Sequence, residues 1–150
     1  MGILSELKKI RAKAHAPQTV GLSDQDVLFF AEKDPRLRHA ALEAERAYAE
    51  LEEQAHPLLR MNEAEQITYL QVGILNFYDT DGLTPYVPIA ASGPWTITSC
   101  GAVIYDAGGY GMLGFGHDPK GAREVLSKPF VMTNVMTANR YQRDLIDKLK

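Results

Sequence analysis

The sequence predicts an α+β fold: a helical first half, then a small β-hairpin, a glycine-rich loop and two further helices. Apolar residues recur at helical spacing as far as Tyr78. From Asp79 onward the composition shifts to turn formers and β-branched residues, with Pro85, Pro88 and Pro94 close together. Five of the twelve glycines then cluster between Ala107 and Pro119.

Leu4, Leu7 and Ile10 form the stripe of a first helix, broken by Pro17 and Gly21. Ser23-Asp24-Gln25-Asp26 resembles a capping box ahead of Val27, Leu28, Phe29 and Phe30. Asp34-Pro35 opens the next helix, with Asp as N-cap and Pro where its missing N–H costs nothing. That helix runs through Ala, Leu, Glu and Arg, strong helix formers, to about Gln54, and Pro57 ends or kinks it. Asn62-x-x-Glu65 caps another, predicted through Ile67, Leu70 and Ile74 toward Tyr78. Trp95–Thr98 and Ala102–Tyr105 read as strands joined at Ser99-Cys100-Gly101. Asp118-Pro119 predicts a helix stopped by Pro129, and Thr137 predicts the cap of a last one carrying Tyr141, Leu145, Ile146 and Leu149. The shift near Asp79 divides the chain into a helical extension, 1–78, and a segment, 79–150, whose last apolar stripe is still running at Lys150, as in a chain cut within its fold.

Composition narrows the function. The chain has 150 residues, enough for a real core, with 45% hydrophobic and 23% charged side chains. A net charge of −3, with the signs interspersed, excludes a general nucleic-acid binder. One cysteine, Cys100, precludes an intrachain disulfide and fits the reducing cytoplasm. No apolar run approaches bilayer length, and the charged N-terminus lacks a signal-peptide core. His15, His39 and His56 share no ligand spacing, so no metal site is expected.

Gly109-Tyr110-Gly111-Met112-Leu113-Gly114 formally matches the dinucleotide pattern G-x-G-x-x-G. That pattern requires a helix opening directly on the glycines and an acid about twenty residues on, to meet the ribose. Here Gly114–Pro119 would interrupt the helix, and Lys128, Pro129 and Phe130 stand where the acid should be. No Lys-Ser or Lys-Thr follows the last glycine, so a P-loop fails as well.

The run from about Trp95 to Lys150 resembles the N-terminal segment of class III, fold-type-I pyridoxal-phosphate aminotransferases. Ile104-Tyr105-Asp106-Ala107-Gly108-Gly109 resembles the family's hairpin exit, and Leu113-Gly114-Phe115-Gly116-His117-Asp118-Pro119 its Gly-His-Pro helix start. Val131–Val135 is similar to the segment before the next helix, and Tyr141–Lys150 to that helix. One residue, not the family's two, separates His117 from Pro119, and the turn at Ser99–Gly101 is short. The resemblance implies the N-terminal portion of an enzyme passing an amino group from a donor to a keto acid or aldehyde, with pyridoxal 5′-phosphate as electron sink. It implies a homodimer and a missing larger α/β domain that supplies the Schiff-base lysine, the acid at the pyridine nitrogen and the phosphate cup.

By the same resemblance Tyr110 lines the substrate pocket, and Gly108 and Gly109 let backbone approach the cofactor. No catalytic residue is expected in this chain, because Lys120, Lys128, Lys148 and Lys150 sit in or beside predicted helices as solvated side chains. His117 has the form of a general base, but before Asp118-Pro119 it reads as a loop-orienting residue. Cys100 has no histidine beside it and is not expected to be a reactive thiol. Two other readings are a non-enzymatic helical interaction module formed by 1–78 and a nucleotide-binding fragment.

Overall fold

A computed structural model describes residues 2–75, 79, 82–107, 116–119, 121–129 and 136–150. The fold is α+β. Among the described residues it comprises helices α1 (Ile3–Arg11), α2 (Asp24–Lys33), α3 (Pro35–Glu53) and α4 (Glu63–Gln71). Strands β1 (Pro88–Ser92), β2 (Trp95–Thr98) and β3 (Val103–Tyr105) come next, followed by α5 (Ala122–Leu126) and α6 (Arg140–Leu149). The chain divides into two units, Met1–Pro119 and Lys120–Lys150.

In the first unit the sheet is antiparallel in the order β1-β2-β3. The predicted hairpin is β2–β3; β1 was not expected. Its proline argues against a central strand, yet Pro88 stands at the first position of an edge strand, where a missing N–H is tolerated. Helix α3 lies at the centre. It buries Leu37, Ala40, Ala41, Ala44 and Tyr48, and its alanines allow close approach to β1. Ile3, Leu7 and Ile10 of α1 and Val27 and Ala31 of α2 complete a core shared with Trp95, Ile97 and Val103. The compositional change at residue 79 therefore falls inside one packed unit, and the helices use the sheet to cover their apolar faces. Lys9–Glu45 pairs α1 with α3 at the surface, and Lys13–Glu52 ties the turn after α1 to the end of α3.

Local capping follows the sequence at three of the helix starts. Ser23 Oγ accepts from Asp26 N at 3.2 Å, and Asp34 Oδ1 accepts from Arg36 N at 3.0 Å. Asn62 and Glu65 form the full reciprocal box. Elsewhere the expectation is corrected. Helix α4 stops at Gln71, because Gly73 takes φ +79° just beyond it, and does not run to Tyr78. Asp118 has φ +47°, incompatible with the extended N-cap conformation, so the following helix starts at Ala122. Asn139, not Thr137, caps α6, accepting from Gln142 N at 3.2 Å.

In the second unit α6 carries the ion pairs Arg140–Asp144 and Arg143–Asp147 and leaves Tyr141, Leu145, Ile146 and Leu149 exposed. None of the described helices is long and apolar enough to cross a membrane.

Candidate functional site

The glycine-rich segment leaves the sheet at β3 and returns to it at His117. Tight β1–β2 pairing, Ser92 opposite Trp95, leaves Gly93-Pro94 as a two-residue turn. Gly93 has φ +55°, a conformation that favours glycine, and the Arg36 side chain lies over it, 2.7 Å from where a Cβ would stand. On the far side of the turn Gly116, φ +74°, packs so closely that a Cβ would meet Gly93 O at 2.7 Å. These two glycines let a backbone bridge form: Gly93 N donates to His117 O at 2.9 Å and His117 N to Gly93 O at 2.8 Å. The outgoing end is held as well, by Asp106 N donating to Pro94 O at 2.7 Å.

Side chains reinforce this clasp. His117 Nε2 lies 3.2 Å from Asp106 Oδ2 and 3.3 Å from Thr96 Oγ1. A carboxylate only accepts, so the ring proton belongs on Nε2, donated to Asp106. General-base catalysis needs the hydroxyl on one ring nitrogen and the carboxylate on the other. Here both face the same nitrogen, so His117 orients the chain and does not activate Thr96.

Next to the clasp, Asp34 joins the start of α3 to the hairpin. Its Oδ2 accepts from Trp95 Nε1 at 2.9 Å and from Arg36 Nη2 at 2.9 Å. The hydrogen bonds from Arg36 first, then that from Trp95, outweigh burial and hold the Asp34 carboxyl down at about 2, from an ordinary 3.8. Trp95 is wedged between Phe30 and Tyr105, with ring centroids 5.3 and 5.1 Å away, and Tyr105 is exposed.

This arrangement carries a pH prediction. A carboxyl whose folded value lies below its unfolded one contributes stability above about pH 4, and the contribution is lost as pH falls toward about 2. The shift corresponds to about 1–2 kcal/mol after discounting for the exposed Arg36. Asp34→Asn is expected to lower the urea midpoint at pH 5, and the gap from wild type should close at pH 2. The lone tryptophan gives the fluorescence readout. A gap of constant size across that range refutes the assignment.

Of the residues singled out from sequence, Gly108, Gly109 and Tyr110 lie outside the described residues. Lys120 does also; Lys128, Lys148 and Lys150 are exposed, as are Lys8, Lys9, Lys13 and Lys33. Cys100 is buried, and burial first, then Glu63, pushes its thiol up, away from the reactive thiolate. His56 Nδ1 accepts from Leu58 N at 3.3 Å and His39 stands 3.9 Å from Glu43. No group of three metal-ligating side chains occurs among the described residues. The sequence reading missed the Asp34–Arg36–Trp95 cluster, whose members lie 61 residues apart at the extremes. The indole N–H, which needs an acceptor when buried, was the available signal.

Comparison with known protein families, with curated proteins and with solved structures returned no match.

Proposed function

We propose that this chain is the N-terminal portion of a pyridoxal-phosphate-dependent aminotransferase, in which the glycine-rich loop forms a wall of the active-site cavity. The observation that carries the reading is the clasp. The backbone leaves the sheet at Asp106, held on Pro94, and is tied back to the same turn at His117. A dinucleotide cradle instead feeds its glycines straight into a helix N-terminus. Here the returning segment is a bridge, and the helix after it spans only Ala122–Leu126. A segment held at both ends on one turn suits a wall, and the order strand, Asp106, glycine-rich stretch, Gly116-His117 is that of the resembling family.

The described lysines are all exposed in this chain, none set in a buried pocket of the first unit. On this reading the reactive lysine belongs to further polypeptide, and this chain acts by shaping the cavity for a small amino donor and a keto acceptor, within a homodimer.

Two measurements test it. The 150-residue chain, mixed with pyridoxal 5′-phosphate and reduced with borohydride, is expected to give no single labelled lysine by peptide mass spectrometry. The gene is expected to continue in frame past the Lys150 codon into a strand-borne lysine. A native stop codon directly after Lys150 overturns the proposal, and a uniquely labelled lysine within this chain overturns the placement of the Schiff base elsewhere.

A further inference from the structure

The charge of the chain divides unevenly between its two units. The first, Met1–Pro119, carries sixteen Asp and Glu against nine Lys and Arg, and the second, Lys120–Lys150, three against seven. The first unit is therefore acidic and the second basic. In the basic unit every residue from 140 to 150 is exposed.

Helix α6 sorts these residues by face. At 3.6 residues per turn Tyr141, Leu145 and Leu149 form one stripe and Ile146 lies beside it, with Gln142 the only polar side chain between them. Lys148 borders this apolar face on one side and Arg143 on the other, while Asp144 and Asp147 point the opposite way. Both aspartates are taken by arginines of the same helix: Arg140 Nε stands 3.4 Å from Asp144 Oδ2, and Arg143 Nη2 2.6 Å from Asp147 Oδ1. Two copies meeting through this face would set cationic margins against each other, with no acid there to pair across the seam. An anionic lipid surface suits the same pattern. The apolar side chains enter the acyl boundary, and the long basic stems run along it to bring their charges to the phosphates. Ten residues of helix rise about 15 Å, half a hydrocarbon core, so α6 would lie along such a surface, not across it. We propose that α6 docks on an anionic lipid surface, with Tyr141, Leu145, Ile146 and Leu149 inserted and Arg143, Lys148 and Lys150 at the headgroups. The proposal does not depend on the aminotransferase reading.

Sedimentation of the full chain with vesicles tests it. Vesicles of phosphatidylcholine with about 30% phosphatidylserine are expected to carry the chain down at about 50 mM salt, and the affinity should fall about tenfold at about 500 mM salt or on pure phosphatidylcholine. Leu145→Glu, at an exposed position, sets a carboxylate in the apolar face and is expected to abolish binding. Lys148→Glu leaves that face intact and is expected to weaken binding to the anionic vesicles about tenfold, without changing that to phosphatidylcholine. It serves also if Leu145→Glu does not fold. Four results overturn the proposal: no binding to anionic vesicles, equal binding to neutral ones, binding unchanged in either variant, or self-association of the chain that Leu145→Glu abolishes, which would make a second copy the occupant of this face.

Discussion

Trp95→Ala is expected to destabilise the first unit by about 3–5 kcal/mol, a large part of the total stability of a small domain. Three losses coincide. The indole is 2% exposed, so its removal leaves a cavity at the junction of α2, α3 and the sheet. Its tilted contact with Phe30 and edge contact with Tyr105 disappear. Asp34 Oδ2 loses a donor, although Arg36 still faces it. Trp95→Phe separates these terms, since it keeps most of the packing and loses the hydrogen bond; a cost of about 1–2 kcal/mol is expected. The substitutions remove the only tryptophan, so urea unfolding must be followed by circular dichroism. A cost for Trp95→Ala under about 1 kcal/mol contradicts the placement of this residue at the core.

The second large effect is expected at Glu63. This side chain is fully buried at the first turn of α4, and its Oε2 accepts from the successive backbone N–H groups of Gln18 and Thr19 at 2.5 and 2.7 Å. It straps the α1–α2 connection to α4 across 44 residues of sequence. Glu63→Ala leaves both donors without their acceptor and is expected to cost about 2–4 kcal/mol. Glu63→Gln keeps one acceptor oxygen but presents an amide donor toward the position of Oε1, which has no partner among the described residues, and is expected to cost about 1–3 kcal/mol. Hydrogen exchange at the Gln18 and Thr19 amides locates the effect. They should lose protection in Glu63→Ala, while the Asn62–Glu65 capping box keeps its own. An unchanged urea midpoint together with unchanged exchange would rule out the strap.

Both effects arise from contacts between residues far apart in the chain, and this marks how much of the molecule was legible beforehand. The Asp34-Pro35 and Asn62-x-x-Glu65 starts were readable because capping is decided within four residues. The β2–β3 hairpin was readable because strand propensity and a short turn lie side by side. The end of α4 and the start of α6 were misplaced, since competing caps such as Asn139 beside Thr137 differ only in the backbone geometry the folded chain adopts. The strand β1 was hidden by Pro88 and the prolines on either side of it, and at the first position of an edge strand Pro88 is harmless.

For the candidate site the division is similar. Clustered glycines between Asp106 and His117 argued against a dinucleotide helix, because those requirements are local in sequence, while residues 108–115 lie outside the described residues. That both Asp106 and Thr96 meet the same nitrogen of His117, and that Gly93 is pressed between Arg36 and Gly116, could be settled only once the hairpin turn had brought residues 34–36, 93–96, 106 and 116–117 together. Periodicity and capping are short-range properties written along the chain. Which nitrogen faces which oxygen, and which backbone needs a missing Cβ, depends on distances of a few tenths of an ångström that packing alone sets.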